Sequence, residues 1–219
     1  MENKFDMNPF VEIWTSPKKT IRAIVEAYPK YYLYFFATIQ GLYALVNIFS
    51  SLRPAALEGM TNAIFIGIMI LLTPLLGRVY FWINGWILKW VGSWFHGKAS
   101  YIETRTVLAW SQVPIIFLIV IFLINQLAAH LFLGEALLEG TPLPAIIAQF
   151  PVWLFINSVA TAVFGIWSLV IFFGGIAEVH QFSVWKAILT GIIAVVIWWL
   201  ALSIFLTISA LFANLMLAL

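Results

Sequence analysis

Long uncharged runs broken by short polar segments dominate the chain. A helix crossing about 30 Å of hydrocarbon needs about 20 apolar residues, and five stretches reach that length, at about 31–52, 60–88, 106–133, 152–177 and 187–217. The first begins at Tyr31, too long for a signal-peptide core and without a small-residue cleavage site, so it is expected to be retained. Pro142, Pro144 and Pro151 break up the start of the fourth run and place its helix from Val152 onward. The pattern predicts an all-α, polytopic transmembrane bundle of five spans forming one domain over 31–219, preceded by an amphipathic segment over 1–30.

Within that segment, Ser16 followed by Pro17 is a helix-start signal, a side chain able to cap free amides and then a residue with a helical φ. Ile21, Ile24, Val25 and Tyr28 then recur at helical spacing, with Lys18, Lys19, Arg22 and Glu26 off that stripe. Cations at a helix N-terminus oppose the macrodipole, whereas anionic headgroups favour each by about 1 kcal/mol. Residues 17–28 are therefore expected to lie on the inner leaflet, with Lys18, Lys19 and Arg22 as lipid-surface contacts; an ordinary basic flank of a span is the alternative. Further on, Arg78, Gly85, Lys89, Gly92 and His96 share one face of a helix, and Trp82, Trp86, Trp90 and Trp94 recur every fourth residue beside them. Either this helix continues the second span to a length of about 54 Å, or it bends near Pro74 and Gly77 into the interface.

Charge sets the orientation. With five spans and the N-terminus inside, ten Lys and Arg fall on the cytoplasmic side and Arg53 alone outside, where Glu135 and Glu139 also lie. The N-terminus is expected in the cytoplasm and the C-terminus outside. Composition agrees: 63% of residues are apolar and 9% charged, with a mean hydropathy of +1.03, which a soluble domain of this size cannot hide. A net charge of +2 without a long basic run excludes nucleic acid as a partner. The absence of Cys removes disulfides, thiolate nucleophiles and sulfur metal sites.

The sequence contains no HExxH, no phosphate-cradling Gly-rich loop with Lys and no GxSxG, so no catalytic, cofactor or metal residues are assigned. One candidate polar cluster stands out: Glu103 and Arg105 before the third span, and Glu178, His180 and Lys186 between the fourth and fifth. Carboxylates with His suit a divalent cation or a proton relay; the plainer reading is an ion-pair lock, with Glu178 expected to pair with Arg105. Polar residues within the spans (Gln40, Asn47, Asn84, Gln112, Asn125, Gln126 and Asn157) are expected to face neighbouring helices. Pro114 frees the carbonyl of Trp110 and is expected to kink the third span, which with Gln112 makes a candidate cavity.

Several local patterns carry a resemblance. Thr15, Ser16, Pro17 and Thr20; Gly97, Lys98, Ala99, Ser100 to Glu103; Leu108 to Pro114 (Leu-Ala-Trp-Ser-Gln-Val-Pro); and Ile176 to Ser183 followed by Trp185, Lys186 and Ala187 together resemble the prokaryotic branch of the Ypt-interacting protein (Yip) family. The resemblance implies five helices with a cytoplasmic N-terminus, in a prokaryotic inner membrane. Eukaryotic relatives are linked to Rab-type GTPases and membrane traffic, but this sequence lacks their Asp-Leu-Tyr-Gly-Pro motif, so a GTPase partner is not expected. The expected role is non-enzymatic: organising or shaping membrane, or scaffolding partners at the cytoplasmic face, with anionic lipids as partners and self-association left open. A small transporter or channel built on the kinked third span is the alternative.

Overall fold

The computed structural model describes residues 8–51, 62–121, 124 and 151–218, and among them all regular structure is helical. The helices are α1 (Pro9–Glu12), α2 (Pro17–Ala27), α3 (Leu33–Ser51), α4 (Asn62–Trp94), α5 (Tyr101–Trp110), α6 (Pro151–His180) and α7 (Val184–Ala218). A further helical stretch, 113–121, follows α5 after a two-residue turn. Three helices are long and apolar enough to cross a membrane, Tyr101–Ile121, Pro151–His180 and Val184–Phe212, and Leu33–Leu45 is a shorter apolar one. Arg53, Asn125, Gln126, His130, Glu135 and Glu139 lie outside the described residues.

Among the described residues, helices cover parts of all five expected stretches, with two refinements. The helix at residues 78–94 is continuous with the second expected span, since α4 runs unbroken past Pro74 and Gly77 and is about 50 Å long. The third span is interrupted at Ser111 and Gln112. Pro114 lies two residues beyond this turn, and the hydroxyl of Ser168 on α6 donates to the Ser111 carbonyl at 2.7 Å. The carbonyl reached from outside is thus that of Ser111 rather than the expected Trp110.

Close helix packing rests on small residues. A Cβ on Gly77 would sit 1.5 Å from the Ala37 carbonyl oxygen, and one on Gly41 would sit 1.8 Å from that of Thr73. Ala37 with Gly41 on α3, and Thr73 with Gly77 on α4, therefore form facing small-xxx-small pairs that bring the two backbones together. Gly175 plays the same part where α2, α5 and α6 meet, a Cβ there falling 2.7 Å from Val107 and 3.5 Å from Ile21. The buried core joins these elements through Ile21, Ile24, Phe36, Phe81, Val107, Trp110 and Ile176. Outward-facing Ile, Leu, Val and Phe along α6 and α7 are exposed, the surface a lipid solvent requires.

Candidate functional site

The candidate residues gather at one end of the bundle, where α4 and α6 finish, α5 and α7 begin, and α2 crosses. Two matching turns shape this end. After α4 the amide of Gly97 donates to Gly92 O and that of His96 to Ser93 O; after α6 the amide of Phe182 donates to Ala177 O and that of Gln181 to Glu178 O. Each is a Schellman ending, with His96 (φ 63°) and Gln181 (φ 58°) in the left-handed region usually given to glycine. The amide of Lys98 donates to the His180 carbonyl at 3.1 Å, so the two turns are joined.

α2 forms as expected but faces elsewhere. Its stripe residues Ile21 and Ile24 are fully buried as it packs against α6 and α5, so this face is turned into protein rather than onto the inner leaflet. Thr20 is buried with them, and its hydroxyl donates to the Ser16 carbonyl at 2.9 Å. The Ser16 side chain makes no cap hydrogen bond, contrary to expectation, and the first turn of α2 holds no acidic residue. Lys18 and Lys19 are exposed, whereas Arg22 turns to α6 and forms an ion pair with Glu178.

That pairing corrects the expected Glu178–Arg105 bridge. Arg22 reaches Glu178 because α2 lies along α6, a proximity no local pattern carries. Arg105 instead lies over the Tyr101 ring, 5.2 Å from its centroid, with its stem against Gly85. Glu103 and Ser100 form a reciprocal capping box at the start of α5. Lys186 Nζ reaches Phe95 O at 3.5 Å.

His180 is almost fully buried, stacked on Phe182 with ring centroids 4.9 Å apart. Its ring fills the space that side chains on Gly92 and Gly97 would need. The five cluster residues thus hold separate structural posts, and among the described residues no group of His, Asp and Glu is placed to hold a metal ion.

Trp110 ties the N-terminal segment to the bundle. Fully buried, it donates from Nε1 to Tyr31 O at 3.3 Å and lies among Phe10, Tyr31 and Phe36. The hydroxyl of Thr106, one turn earlier, donates to Pro29 O. On α4, Gly85 and Gly92 are packing positions, Arg78 lies 5.2 Å over the Tyr34 ring, and Lys89 is exposed. Trp82, Trp86, Trp90 and Trp94 form an exposed row; Trp86 stacks on Trp90, which meets Trp94 edge-on.

A cavity of about 440 Å³ lies deeper, bounded by α4, the third span, α6 and α7, with Asn84, Ser111, Gln112 and Ser168 as its polar lining. Pro114 is buried away from that lining, so it acts only through the adjacent turn. Asn84 accepts from Trp198 Nε1 at 2.8 Å and so joins α4 to α7, whereas Asn157 donates to Trp153 O on its own helix.

Residues 11–206 match the model of the Yip1 domain, a region that includes α2, both Schellman turns and the apolar helices Tyr101–Ile121 and Pro151–His180, and that ends within α7. The chain belongs to the Yip1 domain family. Membership together with the apolar helices makes it an integral membrane protein. No curated protein and no solved structure matches the chain. The family assignment agrees with the resemblance carried by Thr15–Pro17, Gly97–Glu103, Leu108–Pro114 and Ile176–Ser183, each of which falls inside the matched region.

Proposed function

We propose that this Yip1-domain protein is non-enzymatic and organises or shapes membrane, or scaffolds partners, at the cytoplasmic face of a prokaryotic inner membrane. The proposal takes five spans, the N-terminus inside and the C-terminus outside, from the ten-to-one division of Lys and Arg. One contrast carries it. At the basic end Glu103, Glu178 and Arg22 are occupied by caps and ion pairs within the fold, whereas Lys18, Lys19, Lys89 and Lys98 and the Trp row stay exposed. Exposed Trp beside Lys suits the headgroup layer, where the rings sit at the boundary and the ammonium groups meet anionic lipid. Neither nucleic acid nor a Rab-type GTPase is among the proposed partners.

The test is reconstitution of the full chain into liposomes of phosphatidylglycerol and phosphatidylcholine, with vesicle shape followed by electron microscopy and solute flux measured in parallel. Reshaped vesicles without flux support the proposal. Clear flux replaces it with the second reading, a small transporter or channel, which the polar-lined cavity beside Gln112 favours. Because the chain has no native Cys, single cysteines at Glu2, Glu135 and Leu219 report topology; labelling of Glu135→Cys from the cytoplasmic side alone contradicts the orientation.

A further inference from the structure

A groove of about 630 Å³ opens where the first turn of α2 crosses α6 and α7, within the range of about 300–1,000 Å³ typical of small-molecule sites. Its lining is almost wholly apolar: Ile166, Leu169, Val170 and Phe173 form one stripe of α6 along it, and the exposed residues Lys18 and Lys19 border it from α2. From Ile166 to the Gly174 level the stripe is about 12 Å long, and it runs along a helix apolar enough to cross the membrane.

The mouth is positively charged without compensation among the described residues. Neither lysine has a carboxylate partner there, and the nearby Glu178 is taken by Arg22. Gly174 lets the Lys18 stem lie against α6, with Cγ and Cε 3.6 and 3.9 Å from where a glycine Cβ would be, so the apolar stem follows the wall while the ammonium group stays at the entrance. The amides of the first turn of α2, which the Ser16 side chain does not cap, add a second attraction for an anion at the same place.

We propose that this groove binds an anionic phospholipid, the phosphate held between Lys18 and Lys19 and one acyl chain lying along Ile166, Leu169, Val170 and Phe173. The assignment rests on the proposed topology, in which this end lies at the inner leaflet. Charge complementarity selects the headgroup, and the apolar stripe selects a lipid over a free phosphate, which would use the mouth alone. It differs from diffuse attraction of the basic surface because it singles out two lysines among several exposed ones.

The experiment uses the purified full chain in detergent, titrated with phosphatidylglycerol, phosphatidylcholine of matched chains, or inorganic phosphate, with bound lipid counted by native mass spectrometry. Phosphatidylglycerol should be preferred over phosphatidylcholine by about 30-fold, the factor given by two basic residues at about 1 kcal/mol each. Lys18→Gln with Lys19→Gln should remove that preference, Val170→Trp should weaken both lipids by blocking the floor, and Lys30→Gln, at an exposed lysine outside the groove lining, should leave both unchanged. Equal binding of the two lipids by the native chain overturns the proposal. So does an equal loss in the Lys30 variant, which marks diffuse attraction, or displacement of the lipid by inorganic phosphate. Since these outcomes are read in detergent, they stand apart from the liposome shape and flux results that decide the proposed function.

Discussion

Arg22 on α2 and Glu178 on α6 form an ion pair in which the two side chains differ in hydration, Arg22 being 62% exposed and Glu178 only 16%. The pair fastens the N-terminal segment to the membrane bundle, beside the Gly175 junction where α2, α5 and α6 come closest.

That difference makes the two single substitutions unequal. Arg22→Gln leaves a mostly covered carboxylate without its cation, whereas Glu178→Gln leaves a guanidinium in water. Arg22→Gln should therefore lower thermal stability in detergent more than Glu178→Gln, and a double-mutant cycle should give a coupling of about 0.5–1 kcal/mol, the size for a partly exposed pair. Equal single effects with strict additivity would show that the pair does not hold α2.

The glycines separate into two groups by what surrounds them. Gly41→Ala and Gly77→Ala place a methyl group into the carbonyl of the facing helix, and each should destabilise by about 3 kcal/mol, at the upper end for overpacking. Gly67 and Gly165 have nothing within 4 Å of an added Cβ, so Gly67→Ala and Gly165→Ala should be neutral or stabilise by up to about 1 kcal/mol through helix propensity. Thermal unfolding of the four variants in one detergent provides the ranking.

The left-handed residues of the two Schellman turns offer the opposite sign. His96→Gly and Gln181→Gly relieve a φ of 63° and 58° at Schellman positions, and each should stabilise by about 0.5–1 kcal/mol after the entropy of glycine in the unfolded chain is deducted. A lower melting temperature in both would mean that the side chains themselves hold these turns.

Trp110 links the aromatic N-terminal segment to α5 through one hydrogen bond and three ring contacts. Trp110→Leu leaves a cavity and removes the hydrogen bond to the Tyr31 carbonyl, at a cost of about 2–4 kcal/mol. The N-terminal segment should then become accessible to limited proteolysis before the membrane helices unfold; simultaneous loss would assign Trp110 to the whole core.

What the sequence revealed divides along physical lines. α2, α6 and α7 were legible because each rests on a local rule: Ser16-Pro17 with an i, i+3, i+4 stripe, and uncharged runs long enough to cross a bilayer. The partner of Glu178 was not, because Arg22 lies far off in sequence and α2 meets α6 only in the folded bundle. The same holds for the target of the α2 stripe, since an apolar face fits lipid and protein equally well until the neighbour is known. Pro74 left two courses open for α4, and the helix passes it unbroken. The contact between α3 and α4 does carry a sequence signal, Ala37 with Gly41 and Thr73 with Gly77 at four-residue spacing, one of residue size that hydropathy does not register. The polar cluster was misleading because topology brings Glu103, Arg105, Glu178, His180 and Lys186 to one end without saying which of them touch.

The meeting of Ala37 with Gly77 and of Gly41 with Thr73 also limits how this domain can move. Thr73 and Phe81 lie one turn either side of Gly77 on the same face of α4, so a shift of α3 along α4 by one turn would set the Ala37 carbonyl, now at Gly77, against a side chain. The two helices therefore have a single register and cannot slide. Rearrangement of this pair is confined to pivoting about the glycine contact, and with α4 about 50 Å long a small rotation there becomes a large sideways sweep at the Trp row.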